Sequence, residues 1–216
     1  TNQELFSYVD HTLLKPEATP EQIAALCAEA AEHGTASVCV NGSYVALAKK
    51  LLDGKAKVCA VIGFPLGAMS TAAKAFEAAE AIRDGADEID MVIHIGQLKA
   101  GNTDYVLEDI KAVKAAIGDH ILKVIIETCL LTEEEKITMC RLVTESGAEY
   151  IKTSTGFSTG GATFDDVRLF AEHVGEGVKI KAAGGIRSRE DMEEFLRLGA
   201  SRLGTSSAVK ILCGKN

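Results

Sequence analysis

The stretch "SGAEYIKT", Ser146 to Thr153, carries the pattern on which the fold turns. Its glycine closes a polar, helix-like run, and the residues after it read as a short strand. Glycine is favoured just past a helix end because the chain there turns left-handed, which other residues resist. The same arrangement recurs in "HGTASVCV" (33–40), "DGADEIDM" (84–91) and "LGASRLGT" (198–205). Four more strand-forming runs are "YVDHTL" (8–13), "KVCAVIGF" (57–64), "ILKVIIET" (121–128) and "VKIKAAG" (178–184).

Helical patterns separate these runs, and several open with capping chemistry. Thr19-Pro20-Glu21-Gln22 offers a threonine cap, proline at the first helical position and glutamine at the third. Thr132 with Glu135 repeats the box, and Thr163 with Asp166 and Ser188 with Asp191 are acidic variants. Strand and helix alternating through short connections imply a parallel sheet covered by helices. Eight strands are the number that closes a (β/α)8 TIM barrel, here one domain over residues 1–216. A doubly wound open sheet is the alternative, disfavoured because no GxGxxG follows the first strand.

Of 216 residues, 47% are hydrophobic and 25% charged, an ordinary globular balance. The net charge of −8 argues against nucleic acid or an anionic membrane as partner, so positive charge for an anionic ligand must be local. The first residues lack the basic-then-apolar pattern of a signal peptide. Six cysteines without a CxxC pair read as reduced thiols of a cytoplasmic protein rather than a disulfide framework.

Superposing the four glycine-led segments puts Cys39, Asp90, Lys152 and Gly204 at one position, five residues past the glycine. Side chains alternate along a strand, so this position faces the barrel axis, where valine, isoleucine and leucine are usual. Lys181 lies near the C-terminal end of the seventh strand, the end from which this fold draws its catalytic groups. A strand-end charge reaching water, or a structural ion pair, is the bland explanation for any one of these. Lys123 and Lys179, near the opposite strand ends, are assigned to it. Two lysines and an aspartate converging at one rim favour a functional reading.

The chemistry explains the pairing. A lone lysine is protonated near neutral pH, whereas a neighbouring cation and desolvation disfavour its charged form. A neutral amine adds to a carbonyl to form a Schiff base. The iminium withdraws electrons and permits cleavage of a nearby C–C bond, with a carboxylate moving protons. Lys152, Lys181 and Asp90 supply that set.

"AAGGIRS" (182–188) and "RLGTSSA" (202–208) follow the last two strands, whose loops recurrently bind phosphate in this fold. Gly184, Gly185, Gly204, Ser206 and Ser207 are candidate phosphate ligands, with Arg187 as counter-charge and Gly156 as a further contributor. A metal needs clustered ligands. Of the five histidines only His11 and His94 are placed to approach the mouth, so no metal or other cofactor is expected. His94 lines the entrance or faces the surface. Cys39 is read as small core filler, and Glu127 is given no role.

Taken together, "VDHTLLKP", "SVCVN", "IGFPLGA", "DEIDMVI", "LKVIIET", "YIKTSTGFSTGGAT", "KAAGGIRS" and "GTSS" resemble the deoxyribose-phosphate aldolases over essentially the whole chain. The resemblance implies a class I aldolase that reversibly cleaves 2-deoxy-D-ribose 5-phosphate to acetaldehyde and D-glyceraldehyde 3-phosphate. It implies that Lys152 forms the Schiff base, and that Lys181 tunes its pKa and shares proton transfer with Asp90. Asp10 and Cys39 match positions lining the substrate channel, and Thr155 joins the substrate-binding set with the glycines and serines. A cytoplasmic homodimer or homotetramer is implied as well. The sequence departs from the family pattern at His94, where asparagine is common, at Ala208, where glycine is, and at Gly42, where proline is. It ends at Asn216 without the longer tyrosine-terminated tail of some members.

Three rivals stay open. One is an aldolase or transaldolase with another donor, one a silent phosphosugar-binding protein, and one a metal-dependent aldolase.

Overall fold

In the computed structural model, which describes residues 1–214, the eight strand-forming runs are all strands; Asn216 lies outside the described residues. The first half runs α1 (Asn2–Phe6), β1 (Val9–Leu13), α2 (Pro20–His33), β2 (Ser37–Asn41), α3 (Val45–Leu52), β3 (Lys57–Ile62), α4 (Thr71–Arg83) and β4 (Glu88–Val92). Then come α5 (Ile95–Lys99), α6 (Thr103–Ile117), β5 (Ile121–Ile125), α7 (Glu133–Ser146) and β6 (Tyr150–Lys152). The chain continues through α8 (Phe164–His173), β7 (Lys179–Ala183), α9 (Arg189–Arg197), β8 (Arg202–Thr205) and α10 (Ala208–Cys213). All strands are parallel, each pairs with the next, and β8 returns to β1, closing a (β/α)8 barrel.

The helix boundaries follow the local chemistry read from the sequence. Thr19 and Thr132 each accept a hydrogen bond from the third helical N–H, while Gln22 and Glu135 reach back to the cap backbone. Thr163 caps α8, and Ser188 with Asp191 completes a box at α9. Past the helices, Gly34, Gly85, Gly147 and Gly199 all have positive φ.

Two kinds of packing result, one on each face of the sheet. Outward strand residues such as Val38, Ile62, Ile89, Val124, Ile151 and Leu203 are buried against the helices in one continuous apolar cluster. Each such side chain contributes roughly 1.5–3 kcal/mol relative to exposure. The inward face is different: Asp10, Glu88, Asp90, Lys123, Lys152, Lys181 and Arg202 are all buried there. Contacts between β4 and β8, on opposite sides of the ring, can be made only across the axis. Ions therefore fill much of the space that branched aliphatics occupy in many barrels of this type.

Candidate active site

Strand register assembles the ionic core. Asp90 on β4 is the direct neighbour of Lys123 on β5, and Lys152 on β6 is the neighbour of Lys181 on β7. Lysine stems are long enough to cross the axis, so the two sets meet. The Lys152 and Lys181 ammonium groups each donate to the same oxygen, Asp90 Oδ2, at 2.8 Å. Lys123 donates to Oδ1 of that carboxylate at 2.9 Å and lies 2.6 Å from Glu88 Oε2.

One layer further in, Asp10 ties the network to β8. Its Oδ1 accepts from Arg202 at 2.7 Å and from the Ser37 hydroxyl at 2.6 Å. Its Oδ2 lies 2.5 Å from Lys181 Nζ and 3.6 Å from Lys123 Nζ, close ionic contacts rather than aligned hydrogen bonds. Arg202 also donates to Glu88 Oε2 at 2.8 Å. Gly204 makes room for this arrangement: a Cβ there would lie 3.0 Å from Lys181 Cε and 2.9 Å from Ala183 Cβ.

Burial alone would raise the Asp90 carboxyl, but Lys123, Lys152 and Lys181 outweigh it and hold the group well below the usual carboxylate range. Asp10 is depressed for the same reason, with Lys123, Lys181 and Arg202 as its partners. Burial would lower Lys181, yet Asp10 and Asp90 push it above the ordinary lysine value. Lys181 is thus held in its charged form, with Asp90 Oδ2 bridging its nitrogen and that of Lys152.

Above this core opens a cavity of about 520 Å³. Of the seven charged groups in the core, Lys152 is the one that lines it. Thr155, Gly156, Gly184, Gly185, Arg187, Gly204, Ser206 and Ser207 all line the same cavity. Gly184 and Gly185 hold consecutive left-handed conformations, φ +80° and +76°, which glycine adopts without strain. Gly161 lies so close to the Gly184 carbonyl that any Cβ would clash. Arg187 is exposed at the rim.

Other expectations need correction. Asp10 and Cys39 do not line the cavity; both are fully buried below it, Asp10 within the ion network and Cys39 beside Cys59. Lys123 is a structural ion pair as expected, but it grips Asp90 itself. Lys179 is exposed, its ammonium 5.8 Å from the Tyr150 ring centroid. His11 faces α2 instead of the mouth, with Nε2 2.6 Å from Glu29. His94 caps α5, accepting from the Gln97 N–H, and packs edge-on against Tyr105. Glu127 is buried beneath the loop that follows β6.

Four network members went unread in the sequence: Ser37, Glu88, Arg202 and Cys59, whose thiol donates to Asp90 Oδ1 at 3.1 Å. Glu88 and Arg202 stand two residues before Asp90 and Gly204, so the parity that turned those positions inward also applies to them. Cys39, Cys59 and Asp90 present ligand atoms within 4.8 Å of one another. A dication among them would face the ammonium groups of Lys123, Lys152 and Lys181, which already occupy the Asp90 oxygens.

The fold and its buried amines place the chain among the (β/α)8 barrels that carry a lysine at their strand ends. It belongs to the DeoC/LacD family of aldolases, whose family model matches residues 5–216. The deoxyribose-phosphate aldolase of Streptococcus suis is 59% identical over 212 residues, covering 98% of this chain and 96% of that one. The deoxyribose-phosphate aldolase of Clostridioides difficile is 56% identical over 210 residues, covering 97% and 96%. Among solved structures, the tetrameric deoxyribose phosphate aldolase from Aeropyrum pernix superposes with a TM-score of 0.90 at 32% identity. That match covers 99% of this chain and 92% of that one.

Proposed function

We propose that the protein cleaves and forms 2-deoxy-D-ribose 5-phosphate through a Schiff base on Lys152. The observation that carries this reading is the position of Lys152. Of the charged core groups it alone joins the cavity to the ion network, and its nitrogen touches an aspartate oxygen shared with Lys181.

The steps follow from the geometry. The neutral Lys152 nitrogen adds to C1 of the open-chain sugar, and water leaves as the iminium forms. Lys181 and Asp90, joined at Oδ2, supply and accept the protons of that dehydration. A proton leaves the C3 hydroxyl, the C2–C3 bond breaks, and its electron pair passes into the enamine. Glyceraldehyde 3-phosphate departs, C2 takes a proton, and water releases acetaldehyde from Lys152. The glycine loops after β7 and β8, with Ser206, Ser207 and Arg187, hold the phosphate. A cytoplasmic homo-oligomer suits this reading, in line with the tetramer described for the Aeropyrum relative.

Borohydride added with acetaldehyde should fix a two-carbon adduct on Lys152, located by peptide mass mapping. An unmodified Lys152 in active enzyme would falsify the assignment. Activity surviving EDTA separates this route from a metal-dependent one, and acetaldehyde against dihydroxyacetone as donor separates it from a transaldolase. A silent binding protein would bind the sugar phosphate without cleaving it.

A further inference from the structure

Glu127 follows the end of β5 and is one of two non-glycine residues with positive φ among those described, at +56°. A side chain in that region strains the backbone. The residues on either side explain how the conformation is imposed. The Ile126 N–H donates to the Lys152 carbonyl at 3.1 Å, and the Thr128 N–H donates to the Thr153 carbonyl at 2.9 Å. Glu127 is the residue left over between two consecutive rungs, a bulge of the kind that glycine usually fills.

The glutamate makes contacts that glycine could not. The Thr155 N–H donates to Glu127 Oε1 at 3.0 Å, and the Thr155 hydroxyl donates to Oε2 at 2.5 Å. The Phe157 N–H in turn donates to the Thr155 hydroxyl oxygen at 3.0 Å. Both hydrogens of Thr155 are thus committed to one buried carboxylate, and its oxygen is held by the next turn. Glu127 and Thr155 are 2% and 7% exposed, so water offers little competition. Thr155, Gly156 and Phe157 line the cavity, and Gly156 lies against the glycine loop after β7, its Cα 3.7 Å from where a Cβ on Gly184 would stand.

We propose that Glu127 is a positioning residue for phosphate recognition: from behind the wall it fixes Thr155, and through it the loop at 155–157 that bounds the phosphate end. This rests on the phosphosugar reading above. Its role is geometric, because a carboxylate behind the loop contributes no attraction for an anion. The two effects have opposite signs, and substitution separates them.

Glu127→Gly removes the carboxylate and suits the left-handed backbone, so the variant folds. Glu127→Gln keeps the length without the charge: its Oε1 can accept from the Thr155 N–H, while its Nε2 donates to the Thr155 hydroxyl oxygen and so keeps that contact with its direction reversed. Inorganic phosphate binding, measured by calorimetry, should weaken at least tenfold in Glu127→Gly and be largely restored in Glu127→Gln. The KM for 2-deoxyribose 5-phosphate should rise by a similar factor with kcat within about threefold, while borohydride trapping of acetaldehyde on Lys152 persists. Phosphate binding that is as tight as wild type or tighter in both variants would overturn the proposal. So would an equal loss of kcat on phosphorylated and unphosphorylated deoxyribose accompanied by loss of trapping. The calorimetry does not depend on turnover, whereas trapping in the wild-type protein tests the aldolase reading by itself.

Discussion

Lys152 and Lys181 meet at a single atom, each 2.8 Å from Oδ2 of Asp90. The carboxylate does more than separate two like charges. In the proposed reaction it offers a proton held by either nitrogen a short path to the other, which assigns acid and base functions to the triad rather than to one member.

Replacing Asp90 with asparagine breaks that path and leaves three cations facing a neutral amide. General acid–base groups contribute roughly 10²–10⁴-fold, and kcat should fall within that range in a coupled assay for glyceraldehyde 3-phosphate. A loss under tenfold would show that protons reach the amines by another route.

Lys181→Met tests the second lysine of the triad. Removing one partner of a buried ion pair costs about 3–5 kcal/mol, and here Asp10 and Asp90 both lose a contact. Chemical denaturation should show destabilisation of that order. Turnover should fall at least a hundredfold even at temperatures where the variant is fully folded.

The depressed carboxyls set a pH window for stability. Asp10 and Asp90 titrate below their unfolded values, so their contribution is present above about pH 4 and drains away as pH falls further. Lys123 and Lys181 titrate above theirs, so their contribution is present below about pH 10 and lost beyond it. Asp10→Asn should therefore melt well below wild type at pH 7. The gap in Tm should narrow as pH drops through 4 to 3; a gap that widens in acid would contradict the network as described.

Arg187 lines the cavity and is exposed, so in the proposed phosphate site its charge meets water. Arg187→Ala should raise KM for the phosphorylated sugar about three- to tenfold with little change in kcat. The effect should shrink in high salt, since exposed charges are screened there.

The barrel was legible because its glycine-led segments repeat. Each glycine ends a helix, and five residues on the chain faces the axis. The same arithmetic found Asp90 and Lys152 and, applied two residues earlier, would have found Glu88 and Arg202. It did not anticipate the partners. Which charge neutralises which depends on side chains meeting across the ring, and no spacing along the chain encodes that Lys181 reaches Asp10. His11 was misplaced because one residue of parity separates the axis from the helix layer. Glu127 was named but given no role, because its significance lies in a left-handed backbone, a conformation for which glutamate gives no sequence signal.

The empty place at Gly204 carries a consequence for variation. A methyl there would press on the lysine stem of the adjoining strand, so each of the two positions limits what the other can hold. Bulk can enter β8 only if Ala183 and the lysine stem beside it both give way, and a displaced stem would pull the charge away from Asp90. Drift at either site is locked to the other, and Gly204→Ala should therefore register as a loss of stability together with a defect in proton handling.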